Sequence, residues 1–143
     1  MICLFALVMG LSGCQGIFST YGAWEGIETD KESLFFSQEG GEQTVSMLNY
    51  NVWWIVGGFE GVEYENGMWE YVNYVFSTAS GGSETHTNDI LDGGWYHATV
   101  PDNGQSNKLV VTVDPNLTGS PRKATLRMES GDAFGNIILT QAY

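Results

Sequence analysis

Residues 107–141 constrain the fold of this chain more than any other stretch. They contain three short runs set apart by turn-forming residues, with a repeat of two. Leu109, Val111 and Val113 share one parity of the first run, 107–113, and Ala124, Leu126 and Met128 share one parity of the second, 122–128. Lys108, Lys123, Thr125 and Arg127 take the other parity, and a third run follows at 136–141. Successive side chains of a strand point to opposite faces, so this pattern reads as antiparallel strands with one buried and one wet face. The connecting segments 114–121 and 130–135 are rich in Gly, Pro, Asn and Asp, which favour turns.

The same rhythm runs upstream. Residues 33–37 form a short strand, 38–41 a tight turn, and 42–49 a second strand with Val45 and Met47 on one face. Gly40 and Gly41 supply the positive φ that a hairpin between these strands needs. Residues 52–56, with Trp53 and Trp54, are apolar on both faces and read as a central strand. The sheet resumes at 95–100, and 101–104 turn into the closing strands. The chain shows no heptad, internal repeat or long amphipathic helix, and strands with turn signals every dozen or so residues predict a single all-β sandwich. Residues 57–94 stand apart: glycine pairs bracket them, and 68–76 are dense in aromatics. They read as a β-excursion or hairpin followed by an open loop at 77–92, a long aromatic-rich insertion that is either functional or mobile.

Residues 2–11 are an almost unbroken apolar run, too short to span a bilayer, and end in Leu11, Ser12, Gly13 and Cys14. This sequence resembles the bacterial lipobox. The resemblance implies a lipoprotein signal peptide over 1–13, lipidation of Cys14, a tether over 14–32 that becomes ordered near the domain, and a domain over 33–143. Outer-membrane attachment is the expected location, with surface exposure left open. Processing would remove Cys3 and acylate Cys14, leaving no disulfide; a core of about 130 residues can bury roughly two-thirds of its unfolded surface without one. The formal net charge is -12, from 17 acidic and 5 basic side chains, so nucleic acid and anionic lipid surfaces would be repelled.

Three pieces together resemble the BACON family (Bacteroidetes-associated carbohydrate-binding often N-terminal). They are Leu34 to Ser37 with Gly40 and Gly41 ahead of Thr44 and Val45; Trp53 and Trp54; and Gly94 and Trp95 leading through 109–113 to 116–118, 122–125 and Gln141. The resemblance covers about 33–56 and 93–143, leaves 57–94 outside the pattern, and implies an immunoglobulin-like antiparallel β-sandwich with a carbohydrate-binding or spacer role. It implies no catalytic residues.

Sugar recognition by a β-domain calls for flat aromatic faces, which meet the apolar CH face of a pyranose, and for carboxylates and amides that bond hydroxyls. Trp69, Tyr71, Tyr74, Trp95 and Tyr96 are the candidate carbohydrate-binding residues, with Glu70, Asn73 and Asp92 near them in sequence. Trp69 and Tyr71 lead because they sit in the insertion. The same rings could instead fill the core, which Trp53, Trp54 and one of Trp69 or Trp95 would complete; Trp53 and Trp54 are assigned to the core and to the sheet's outer face. His86 and His97 lack metal-ligand spacing, and Asp89, Asp92 and Asp102 lack the order of a calcium loop. No nucleophile elbow or supported Ser–His pair is visible, so neither a metal, a cofactor nor an enzyme is expected. Asn116 to Thr118 fits a glycosylation sequon but reads as the turn between two strands, and Arg122 and Lys123 read as a solvated strand face. A non-catalytic, lipid-anchored envelope protein that binds carbohydrate or acts as an adhesive module is the reading these features support. The alternative is a passive spacer, or a subunit whose partner is another envelope protein.

Overall fold

The computed structural model describes residues 25–63, 69–80 and 88–143, and leaves the side chains of residues 62, 63, 69 and 71 undescribed. Nine strands follow in order: β1 (Ser33–Phe36), β2 (Gly41–Ser46), β3 (Trp54–Glu63), β4 (Trp69–Phe76), β5 (Ile90–Asp92), β6 (Tyr96–Thr99), β7 (Lys108–Val113), β8 (Arg122–Ser130) and β9 (Ala133–Gln141). They make two sheets, one ordered β1-β9-β8-β3-β4 and the other β2-β7-β6-β5. The expected all-β sandwich is what forms. The lone helical element among the described residues, Pro101–Gly104, is a single turn in which Asp102 and Asn103 sit in the left-handed region, the turn chemistry expected of that segment.

The three closing strands appear where the parity places them, but they divide between the sheets. β7 pairs with β2 and β6, whereas β8 and β9 form an antiparallel hairpin in the five-stranded sheet. The inward parity of each feeds one core. Leu109, Val111 and Val113 from β7 face Ala124, Leu126 and Met128 from β8 and Ile137 and Leu139 from β9, all buried. Trp53 and Ile55 join them, while Trp54 points outward and pairs with Glu129, as the tryptophan assignment anticipated.

The hairpin expected of 33–49 does not form. β1 runs parallel to β9 in one sheet, and β2 pairs antiparallel with β7 in the other. The intervening turn crosses between the layers: Gly40 has φ 73°, and a Cβ there would fall 2.0 Å from the Val113 carbonyl oxygen. Glycine therefore serves a close passage over the end of β7, not a two-strand ribbon. The segment 57–94 adds strands to both sheets. β3 extends to Glu63, pairs with β8 as far as Phe59 and forms a ribbon with β4, and β5 edges the other sheet. The reading of 77–92 as an open loop is corrected by a Thr78–Ile90 bridge and by Asp89, whose buried carboxylate accepts hydrogen bonds from the Ser80 backbone N–H (2.7 Å) and hydroxyl (2.5 Å).

Buried polar groups clasp one end of the sandwich. Gln141 donates through its amide to the carbonyls of Ser37, Gln38 and Asp114, and its oxygen accepts from Arg122 at 2.7 Å. Asn116, also buried, donates to Ser120 and Ala142 carbonyls and accepts from Thr118, so its amide is committed to the turn that the sequence indicated. Arg122 does not join a solvated face as expected. It has the same parity as Ala124 and Leu126, donates also to the Asp114 and Pro115 carbonyls, and lies 4.6 Å from the Trp95 ring centroid.

Candidate functional site

Strand register decides which aromatics meet. On the outer face of the five-stranded sheet, Ser33, Ile138, Thr125, Phe59 and Tyr74 form one continuous cross-strand row. The adjacent row runs Asn136, Arg127, Gly57 and Phe76, and the next runs Phe134, Glu129 and Trp54. Tyr74 stacks on Phe59 with planes 6° apart and centroids at 6.3 Å, and meets Phe76 edge-on at 4.7 Å. Such pairs contribute about 0.5–1.5 kcal/mol beyond the area they bury. The Tyr74 ring reaches over Gly57, where a side chain would otherwise stand. Tyr74 is nevertheless 41 % exposed and Phe76 73 %, and Val72, the extra residue where the β3–β4 register shifts, is 64 % exposed. Phe35, Phe134 and Ile138 extend the apolar surface toward β1 and β9. An antiparallel sheet normally turns polar residues to water, so an apolar face of this breadth is a candidate binding surface.

The other candidate rings lie elsewhere. Trp95 is half-buried at the end of the sandwich, where its indole N–H donates to the Glu60 carboxylate and its face receives the Arg122 guanidinium. Glu60 also accepts from the Asn73 amide at 3.2 Å. Tyr96 lies in the core with no exposed surface, edge-on to Trp95 at 4.9 Å, and its ring cannot meet a ligand from there. Burial, reinforced by the nearby Glu60 charge, pushes its phenol up to about 12. Trp69 and Tyr71 belong to β4 by register, opposite Glu63 and Gly61, and their side chains lie outside the described structure. Cys14 and His86 lie outside the described residues altogether.

The polar groups near these rings do not gather into a reactive centre among the described residues. His97 stands on the outer face of the four-stranded sheet, with Nδ1 3.3 Å from Asp92 and Nε2 3.5 Å from Asp114. No group of three or more metal-ligating side chains is present among the described residues. The structure thus brings Tyr74 together with Phe59 and Phe76, which the residue types alone did not single out, and separates Tyr74 from Trp95 and Tyr96. The missed signal was local: Tyr74 and Phe76 are two apart on one strand, and Gly57 leaves β3 bare opposite Phe76.

Residues 77–142 match the model of the BACON family, described as "Putative binding domain, N-terminal", which bears out the resemblance seen in the residues. The match starts within the segment 57–94 and does not reach β1, β2 or the ring-bearing part of the β3–β4 ribbon before Ser77. No curated protein matches the chain. Among solved structures, an NMR structure of a protein from Bacteroides thetaiotaomicron is 22 % identical, with a TM-score of 0.58 over 85 % of this chain and 91 % of that one, a likeness of fold. A Bacteroides ovatus GH5 xyloglucanase in complex with a XXXG heptasaccharide is 17 % identical, with a TM-score of 0.48 over 82 % of this chain and 18 % of that chain.

Proposed function

We propose that this protein is a non-catalytic carbohydrate-binding module of the cell envelope, anchored in the outer membrane through Cys14, that takes a glycan on the outer face of its five-stranded sheet. One observation carries the reading: Phe59, Tyr74 and Phe76 form a connected set of rings in which Tyr74 and Phe76 keep much of their surface open to solvent. Pyranose rings present apolar CH faces to such surfaces, and Thr125 and Asn136 in the neighbouring rows offer hydroxyl and amide partners to sugar hydroxyls. The family description of a binding domain supports binding as the role and leaves the ligand open.

Covering about 60 Å² of ring face is worth about 1.5 kcal/mol, or roughly tenfold in affinity, at about 25 cal/mol per Å². Glycan-array binding should therefore weaken by about that factor in Tyr74→Ala and again in Phe76→Ala, with the fold retained and stability lowered only by the lost ring pairs, about 0.5–1.5 kcal/mol each. Trp69→Ala and Tyr71→Ala extend the same test along β4. Wild-type protein that binds no glycan defeats the reading. The second reading, a subunit of an envelope assembly, draws on β4 standing at the edge of its sheet with Val72 exposed. Specific co-purification of an envelope protein without glycan binding would favour it. For the anchor, Cys14→Ala should release the protein from membranes, and unchanged fractionation would defeat that part.

A further inference from the structure

We infer that the glycan recognised by this face is acidic, a polysaccharide carrying carboxylates, and that Arg127 receives its charge; this rests on the carbohydrate-binding reading above. Of 5 basic side chains in a chain of net charge -12, Lys123 and Arg127 both lie on the outward parity of β8, in the middle of the five-stranded sheet. Among the described side chains on the outward parity of β8 and β9, Glu129 is the only acid, and on β3 the same parity continues to Glu63 at the far end of the strand. The centre of the face, around Arg127, thus carries basic charge on an acidic protein, and an anionic group is attracted to that point more than to the surface around it.

The two arginines of the strand make a sharper comparison. Arg122 has its donors engaged by Gln141, Asp114 and Pro115, and its plane lies against Trp95. Arg127 meets no acceptor and no carboxylate among the described residues. Its guanidinium instead lies 4.6 Å from the Phe134 ring centroid. Held over the ring, the guanidinium keeps its donors, a fork that matches a carboxylate bidentately, for a partner from outside. Gly57, which stands between Arg127 and Phe76 in their cross-strand row, contributes no side chain, and the Tyr74 ring lies over it. A sugar ring lying on Phe76 and Tyr74 would place a carboxylate substituent toward Arg127.

The test uses the full chain and polysaccharides matched in everything but charge: polygalacturonate and its methyl ester, with neutral glucans alongside. The acid form should bind about tenfold tighter than the ester, as expected for one charge-assisted bidentate contact. That gap should close in Arg127→Gln, narrow in Arg127→Lys, and shrink at high salt, where charges are screened within a few ångströms. Equal binding of acid and ester by the wild type would overturn the acidic ligand while leaving carbohydrate binding intact. Binding of none of these polysaccharides would overturn both. Sedimentation showing Arg127-dependent self-association without polysaccharide binding would assign the face to an acidic surface of a second copy instead, and would equally overturn the proposal.

Discussion

Replacing Tyr96 by phenylalanine removes one oxygen from the middle of the sandwich and tests how that oxygen is held. Tyr96 has no exposed surface, and its hydroxyl has no hydrogen-bond partner among the described residues. It is pressed against bare backbone: a Cβ on Gly58 would fall 2.5 Å from the hydroxyl, and one on Gly93 would fall 2.1 Å from Cζ. An unpartnered buried hydroxyl opposes folding, so at pH 7 Tyr96→Phe should leave stability unchanged or raise it by up to about 1 kcal/mol. Alkali separates the two proteins further. In the unfolded chain the phenol ionises near pH 10, as model peptides do, whereas burial first and the Glu60 charge second hold it at about 12 in the fold. Its contribution is complete below pH 10 and is lost as pH rises toward 12, because the unfolded state ionises first. Two pKa units correspond to about 2–3 kcal/mol over that window. Urea unfolding followed by tryptophan fluorescence at several pH values between 8 and 11.5 would read the difference between wild type and variant, in which the other six tyrosines and the lysines cancel. A loss of about 2 kcal/mol or more at pH 7, or identical alkaline slopes for the two proteins, would refute the unpartnered, desolvated phenol.

Other perturbations follow from the same geometry. Gly58→Ala drives a methyl into the Tyr96 ring and should cost about 2–4 kcal/mol, only partly recovered with Tyr96→Phe because Cε2 also lies 2.8 Å away; a double-mutant cycle by chemical denaturation measures this. Gln141→Leu withdraws the amide that joins the β1–β2 turn to the β7–β8 crossover and should lower stability by about 2–4 kcal/mol, seen as a fall in Tm of about 10 °C. Arg122→Gln should cost about 1–3 kcal/mol and Arg127→Gln less than about 0.5 kcal/mol, since only the first has its donors engaged within the fold. Equal losses in thermal melts of the two variants would contradict the division between a clasp and a binding arginine.

Strand positions were legible in the sequence because a half-buried strand writes its environment into alternate residues. Leu109 to Val113 and Ala124 to Met128 alternate for that reason, and both runs emerge as strands within a residue or two of the expected limits. Sheet membership was not legible, because alternation reports which side of a strand is buried and not which strand lies beside it. β1 and β2 look like a hairpin locally and are split between layers by pairing to β9 and β7, more than 60 residues away. Among the candidate rings, aromatic type could not separate Tyr74 from Tyr96. What separates them is glycine on opposite sides of β3: Gly58 turns inward and makes room for Tyr96, and Gly57 turns outward beneath Tyr74. Arg122 was read as surface from its charge, although its parity with Ala124 and Leu126 already pointed inward.

Strand β8 shows how one segment can serve stability and binding without conflict. Its inward residues, Ala124, Leu126 and Met128, are wholly buried, and Arg122 at its start is fixed by Gln141 and Trp95. Of its outward residues, Thr125 and Arg127 stand in the rows that carry Phe59 and Phe76, and Lys123 pairs with Thr140 beyond them. Because side chains alternate with period two, substitution of the outward set leaves the core contacts untouched. The outer face can therefore change its ligand while the scaffold stays the same, so long as the clasp of Gln141, Arg122 and Asn116 closes the end of the sandwich. Conversely, the β3–β4 ribbon, whose described residues give the core Val75 and the glycine-backed Tyr96 contact, is held mainly by its ladder and by its rings. Glycines on β3 make that ribbon weaker as a strand and give its rings the bare surface on which to stack. The aromatic face is thus both the proposed binding surface and part of what holds its own edge of the sheet in place, so ligand binding there should raise the protection of β4 amides from hydrogen exchange before that of any other strand.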